Sequence, residues 1–530
     1  MKNRTKLLLY CLCSTLLLTT AGCKKQSDEP VTTSLSLMET VNNKNIVDGS
    51  KDMRIWYQIN PALFTDKFTD APGTLKSVAQ DIEYFSDGDL KTTEDLNMSG
   101  LLLTDVLAVD DNNALTSFKD IDPTIGTIDD LTALCQRGNT FNLPVMLEMN
   151  LVCVSKDTPR FQELVNFING LGDDNPEEKN GELYHAFYVE KDKNEEGWVK
   201  IGDTPYYYRA QPQTDNPRIN LSSVYWRDDL ARAVEQYFAA GVRGFYIPEF
   251  NELQNNDVVS ATEFMTWFES MTKERNENVI NVFSYGGWDD VMSTIPEYAA
   301  NMNSAGAEGM IAKAATGSIS ARDLGQYLQD NASHTQGVEA TFINNKDGSL
   351  DLLKSKSRLP QYKMALALSL MSSGQVFIMC GDELGLTSKE GDLITEAIET
   401  PDEENSEEGE TIELEFGSLP QQQADGNSIY SFVIQAIKLR DSYASISDAT
   451  LSWNQDLSTD QVLVLDKRKD SSETVLIFNL SDQNVDVDVS SIQISGLPAE
   501  LGGVLLTGEE QITQEENILH LPPYSMALLK

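Results

Sequence analysis

A chain of 530 residues is longer than one hydrophobic core comfortably organises, so a large domain with one or two smaller modules is expected. Hydrophobic residues make up 40% of it, enough for packed cores, while 83 acidic residues against 40 basic ones set a formal net charge of −43. That balance excludes nucleic acid as a partner and excludes charge-driven adhesion to anionic lipid, because both require a basic face, whereas a neutral ligand is indifferent to it.

At the N-terminus, Lys2, Arg4 and Lys6 precede an apolar run from Leu7 to Leu18, followed by Thr20-Ala21-Gly22-Cys23. The run is about a dozen residues long, whereas a membrane span needs ~20. The pattern resembles a bacterial lipoprotein signal. That resemblance implies removal of residues 1–22, lipidation of Cys23, and attachment to membrane through the lipid alone. The next seven residues, KKQSDEP, place Asp28 and Glu29 early, similar to the export tag that carries lipoproteins to the outer face in some Gram-negative phyla. An outer-membrane lipoprotein at the cell surface is therefore expected. Without its first 22 residues the chain keeps 37 basic and 83 acidic residues, a net charge of −46. Residues 23–47 are polar and read as a tether, with order expected from near Met53. Cys135, Cys153 and Cys380 have neither metal-ligand spacing nor a paired-disulfide pattern, and read as small apolar filler.

From Met53 onward, apolar strand-like runs alternate with helical stretches. The runs are RIWYQI (54–59), SGLLLTDVL (99–107), LPVMLEMNLV (143–152), VRGFYI (242–247), VINVFSY (279–285), ATFI (340–343) and QVFIMC (375–380). Helices are expected over 228–240 and 362–372. Such alternation implies a parallel sheet, open or closed into a barrel. Residues 154–220, rich in Tyr and Asp, interrupt the alternation and read as a separate excursion. Its aromatics Tyr184, Tyr188, Trp198, Tyr206, Tyr207 and Tyr208, with Trp226 and Trp288 near barrel loops, are candidates for sugar stacking, and about half of them are expected simply in a core. An acid-dense stretch at 389–415 reads as a self-repelling solvated loop. It has no spaced liganding pattern with a turn glycine, so calcium is not supported and no cofactor is expected. Beyond Trp453, alternating runs such as QVLVLDKR and TVLIFNL describe a small antiparallel sandwich.

The loop sequences carry more than periodicity. RIWYQINPALFTD, IDPTIGTIDDL (121–131) and GQVFIMCGDELG (374–385) occur in order, and with them the chain from about residue 50 to its end resembles glycoside hydrolase family 13, the α-amylase family. The resemblance implies an α/β fold: a (β/α)8 barrel over 48–153 and 221–434, with an acidic loop at about 386–428. It further implies a domain inserted after the third strand at 154–220, and a C-terminal antiparallel β-sandwich over 435–530.

The same resemblance shows what has changed. Retaining hydrolysis of a glycosidic bond needs a carboxylate nucleophile and a carboxylic acid ~5 Å apart. The family places the nucleophile on the fourth strand, in Gly-Phe-Arg-x-Asp. This chain has Gly244, Phe245, Tyr246, Ile247 and Pro248 there, so both arginine and nucleophile are absent. The acid's slot on the fifth strand falls on Tyr285, or on Ser284 if the register slips by one. After the seventh strand, Asn345 and Asp347 are retained from Asn-His-Asp, with Lys346 in place of the sugar-contacting histidine. The third-strand motif reads Glu148, Met149, Asn150, Leu151, Val152 and Cys153, without the family's calcium-linked asparagine or its histidine. The platform tyrosine of the second loop is replaced by Asn113. His185, His334 and His520 fall in none of the family's slots.

Pro248 and Tyr285 are accordingly expected at the C-terminal ends of the fourth and fifth strands, facing Asp347 across the mouth, with Tyr246, Asn345, Lys346 and Asn113 as sugar-contacting positions. Glu249, one residue late, would aim away from the axis unless the strand breaks at Pro248, and is the candidate substitute carboxylate. Glu252 reads as a solvated loop residue, and Asp382 with Glu383 as the family's structural Gly-Asp-Glu pattern. The leading expectation is a surface lipoprotein with a catalytically silent α-amylase-like barrel that binds or presents glycan, α-glucan first, beside outer-membrane glycan-uptake proteins. The alternatives are a divergent α-glycosidase with acid and base rebuilt from Glu249, Asp347 or Glu148, and a scaffold that contacts only proteins.

Overall fold

The structure is a computed structural model that describes residues 32–42, 53–64, 73–89, 92, 95–111, 114–212, 214–254, 258–285, 298–334, 338–344, 350–387 and 414–530. Eight parallel strands close into a barrel: β1 (Ile55–Ile59), β2 (Gly100–Leu103) and β3 (Val145–Glu148), then, after the inserted strands β4 (Val189–Lys191), β5 (Trp198–Lys200) and β6 (Tyr206–Arg209), β7 (Gly244–Ile247), β8 (Ile280–Tyr285), β9 (Tyr298–Asn301), β10 (Val338–Phe342) and β11 (Gln375–Met379). The closed order is β1-β11-β10-β9-β8-β7-β3-β2, with the ring sealed by Ile55 opposite Val376 and Trp56 opposite Gly100. This is the (β/α)8 architecture, and its helices include Val224–Ala240 and Leu359–Leu370 over the two stretches expected from sequence.

Seven of the eight barrel strands coincide with apolar runs. The sixth, β9, has the sequence YAAN, too short and too alanine-rich to stand out from its surroundings. The insertion leaves the barrel through a neck where 152–154 runs against 217–219, with Val154 N–H donating to the Pro217 carbonyl and Ile219 N–H to that of Val152, both at 3.2 Å. Its sheet β4-β6-β5 buries Tyr206 and Tyr208, while Tyr184 and Trp198 are half-buried.

The C-terminal module contains β12 (Thr450–Trp453), β13 (Val462–Lys469), β14 (Ser472–Asn479), β15 (Val485–Asp488), β16 (Gln493–Ile494), β17 (Leu497–Pro498), β18 (Leu501–Leu506), β19 (Thr513–Glu515), β20 (Ile518–Leu521) and β21 (Ser525–Leu529). A five-stranded antiparallel sheet, β12-β13-β14-β21-β18, is joined by the three-stranded sheet β15-β20-β19. The expected boundary at 434/435 falls inside the helix Ile429–Ser442, whose burial on nearly every side makes it continuous with the barrel, so the sandwich begins at β12. The expected acidic loop is also shorter than drawn. Its end, 414–428, carries the helix Leu419–Ala424, which buries Leu419 and pins Gln422 Nε2 on the Leu384 carbonyl at 2.8 Å. Residues 388–413 lie outside the described residues.

The expected tether is corrected as well. Ser34–Asn42 form a helix against β18 and the helix Ile429–Ser442, because Met38, fully buried, and Leu37 and Val41 put an apolar face inside a polar-looking stretch. β18 is an edge strand, whose unpaired backbone groups need partners. Asn42 supplies them: its Nδ2 donates to the Val504 carbonyl and its Oδ1 accepts from Val504 N–H, both at 2.8 Å, so the side-chain amide pairs as a further strand residue would. Removing both bonds by Asn42→Ala is expected to lower the unfolding free energy by ~1–3 kcal/mol, read as a fall in urea midpoint at unchanged slope; an unchanged midpoint would show that the helix does not cover this edge.

Candidate functional site

The interior of the barrel is packed solid. One buried side chain from each strand points to the axis: Trp56, Leu102, Met146, Tyr246, Val282, Ala300, Phe342 and Phe377. Phe342 and Phe377 stack with centroids 4.1 Å apart and Tyr246 lies 4.9 Å from Phe342, so an aromatic plug fills the centre. Gly100 makes room for it, since a Cβ there would stand 2.4 Å from the Trp56 ring.

Because side chains alternate along a strand, this layer fixes which residue next faces the axis toward the mouth. On β8 the layer residue is Val282, so Ser284 faces inward and Tyr285 outward. The contacts agree. Ser284 Oγ makes a long hydrogen bond to the Ile247 carbonyl, 3.4 Å. Tyr285 donates its hydroxyl to Met265 Sδ at 3.4 Å on the helix Val258–Arg275 and packs edge-on against Phe250. Burial, and then Glu269, pushes its phenol well above the ordinary range. The expectation that Tyr285 faces the mouth is therefore corrected: strand parity turns it into the helix layer, and the inward slot holds a serine. Neither residue is a carboxylic acid.

On β7 the layer residue is Tyr246, and Pro248, two residues on, is buried in the turn that ends the strand. Glu249 follows with φ +54°, a left-handed conformation uncommon outside glycine. That turn breaks the alternation. Glu249 Oε2 accepts a hydrogen bond from Asn150 Nδ2 at 3.2 Å, across the gap between the ends of β7 and β3. Burial pushes the Tyr246 phenol up, and Glu148 and Glu249 each push it further while Ser284 opposes them. Glu148, Ser284 and Glu249 thus act on the Tyr246 phenol, and Asn150 is bonded to the last of them.

The turn is held from the inserted segment. Buried Arg218 places Nη2 2.7 Å from Glu252 Oε2 and Nη1 3.3 Å from the Glu252 carbonyl, while Glu252 N–H donates to the Glu249 carbonyl at 2.9 Å. Glu252 is an anchor of this turn, not the solvated residue its loop position suggests. Asn150 was legible in principle, lying two residues beyond Glu148 and hence on its face, but nothing local in the sequence marks Arg218. Cys23, Asn113, Trp288, Asn345, Lys346 and Asp347 lie outside the described residues.

The strand-eight turn matches its expected structural role. Lys354 Nζ lies 2.9 Å from Asp382 Oδ1, and Asn344 Nδ2 donates to both Asp382 oxygens at 2.8 and 2.7 Å. Glu383 accepts from the hydroxyls of Tyr57 (2.8 Å) and Tyr84 (2.6 Å) and from Gly381 N–H (3.1 Å). Burial outweighs these donors and pushes its carboxyl up to about 7. Among the described residues, no group of three or more His, Cys, Asp or Glu side chains is placed to hold a metal ion.

A closed parallel barrel with an insertion after its third strand and a C-terminal antiparallel module is the (β/α)8 architecture that the family resemblance implies. The comparisons agree. The chain is 21% identical over 506 residues to "Alpha-amylase 3" of Dictyoglomus thermophilum, covering 90% of this chain and 93% of that protein. It is 24% identical over 220 residues to "Alpha-amylase SusG" of Bacteroides thetaiotaomicron, covering 34% of this chain and 31% of that protein. Among solved structures, Eubacterium rectale Amy13B superposes with a TM-score of 0.81 at 22% identity, covering 94% of this chain and 99% of that one. The α-amylase from H. orenii superposes at 0.72 and 19% identity, covering 90% and 99%. No protein-family model matches the chain. The resemblance read from the loop motifs is thus matched by curated and structural neighbours that are α-amylase-family proteins.

Glu383 and Glu339 are both pushed up to about 7 by burial, from an ordinary value of 4.5. The folded state therefore holds more protons than the unfolded one between those values, and stability present below pH ~4.5 is lost as pH rises through ~7. Glu383→Gln is expected to flatten the fall in urea midpoint between pH 5 and 7.5; an identical pH slope in the variant would contradict the assignment.

Proposed function

We propose that this protein is a cell-surface lipoprotein, anchored through Cys23, whose α-amylase-like barrel binds or presents α-glucan without cleaving it, beside outer-membrane glycan-uptake proteins. One observation carries the reading. The inward positions at the ends of β7 and β8 are Pro248 and Ser284, so the two places where the family keeps its nucleophile and its acid hold neither. The groups that remain there, Glu148, Asn150, Ser284 and Glu249, are hydrogen-bonding partners for sugar hydroxyls. Named relatives include amylases and a maltase, which supports a glucan as ligand. Retained Asp347 would position the sugar in the same role.

A second reading is favoured by Glu249. Its left-handed turn after Pro248 brings a carboxylate to Asn150 at the mouth, where a divergent hydrolase would need one member of a rebuilt pair.

Loss of a positioned acid costs ~10²- to 10⁴-fold, and loss of the nucleophile removes the covalent route. The purified protein is therefore expected to show no turnover of starch, maltooligosaccharides or pullulan above a barrel-free control, and calorimetry is expected to detect binding of the same glycans. Absence of binding would contradict the first reading, and hydrolysis that vanishes in Glu249→Gln would replace it by the second. For the anchor, Cys23→Ala is expected to leave the membrane fraction, and unchanged fractionation would refute it.

A further inference from the structure

The sheet of the inserted segment has two unlike faces. Tyr208 on β6 stands opposite Val189 on β4 and Val199 on β5, and on this side Tyr206 and Tyr208 are buried, with the Phe161 ring edge-on to Tyr208 at 4.7 Å. Alternation along the strands puts the residues between them on the other side. There Tyr207 lies between Glu190 and Lys200, and Arg209 lies opposite Trp198. Tyr188, two residues before Glu190 and so on the same face, accepts at its carbonyl from Arg209 N–H at 2.9 Å.

Tyr188, Trp198, Tyr207 and Arg209 are all half-buried. Two of the rings flank Arg209 across the sheet, two strand spacings or ~10 Å apart, which is wider than a single hexose ring. The third lies two residues back along β6. Among the described residues the Arg209 guanidinium makes no hydrogen bond or ion pair, and the Trp198 indole N–H and Tyr207 hydroxyl make no hydrogen bond, so their donors are open. The neighbouring cations are already neutralised: Lys193 lies 3.6 Å from Glu190 and 3.3 Å from Glu195, and Arg218 2.7 Å from Glu252.

This face leads to the barrel mouth. Arg218 N–H donates to the Arg209 carbonyl at 3.0 Å in an antiparallel pairing continued by Ala210 and Pro217, which sets both arginines on one face. Burial, and then Arg218, pulls the Arg209 guanidinium below its ordinary range, while Tyr188, Glu252 and Glu190 oppose them. Arg218 is also the residue that grips Glu252, so the row of rings ends at the turn carrying Glu249.

A sugar chain offers apolar C–H faces to rings, and hydroxyls that donate and accept, without charge. A net charge of −43 repels an anionic polymer from the same face. We propose that this face of the inserted sheet carries the outer part of an α-glucan chain held at the barrel mouth, its sugar rings stacking on Tyr188, Trp198 and Tyr207 and its hydroxyls meeting Arg209 and Glu190. The proposal rests on the glucan reading of the mouth and makes the ligand an oligosaccharide longer than the mouth alone can hold.

Titration calorimetry of the full chain with maltoheptaose and maltotriose tests it. Trp198→Ala combined with Tyr207→Ala is expected to weaken maltoheptaose about tenfold or more, with maltotriose binding and the thermal midpoint unchanged. Arg209→Met, which leaves all three rings, is expected to weaken maltoheptaose alone, by about threefold or more. Maltoheptaose binding indifferent to both variants, equal loss for the two sugars, or binding abolished by high salt would overturn this inference and leave the mouth reading standing. Binding of neither sugar by the unaltered chain would overturn the mouth reading, and this inference with it.

Discussion

The two-residue alternation of side chains along a strand governs everything at the mouth of this barrel. Once Trp56, Tyr246, Phe342 and Phe377 fill the axis, the residue two places on is the only one each strand can offer inward. A carboxylate one place early or late is carried into the helix layer, as Tyr285 is. The aromatic plug cannot relax to accommodate a slip, because Phe342 and Phe377 already stack at 4.1 Å and Gly100 gives Trp56 no slack. Chemistry at the mouth is therefore set by packing well below it.

The exception is instructive because it needs a backbone device. Glu249 reaches Asn150 only because Pro248 ends β7 and the next residue adopts φ +54°. A strained conformation of this kind persists when its surroundings over-determine it. Here Arg218, from the inserted segment, grips Glu252 by side chain and carbonyl, and Glu252 in turn bonds the Glu249 backbone. The insertion thus acts on the site through the turn it holds.

What was legible in the sequence follows the same logic. Strands with β-branched or aromatic runs, such as IWYQI and VFIM, announced themselves, and the ordered loop motifs carried the fold. YAAN did not, because an alanine on the axis, Ala300, beside one in the helix layer, Ala299, looks unremarkable in one dimension. The helix Ser34–Asn42 was hidden by Ser, Thr and Asn around it, though Met38 and Asn42 at i and i+4 form the face that docks. Tyr285 was misplaced for want of one residue of register, which only the neighbouring strands supply. Arg218 lies 34 residues before Glu252 and could be joined to it only by the fold.

On the reading proposed above, Pro248 and Ser284 stand where the family keeps its nucleophile and its acid, and no glycosyl–enzyme bond forms. Intact-protein mass spectrometry after incubation with a fluorinated α-glucosyl fluoride reads that step directly, since a retaining nucleophile is trapped as a covalent glycosyl adduct. The account predicts an unshifted mass. A stoichiometric adduct that peptide mapping places on Glu249, Glu148 or Asp347 would contradict it.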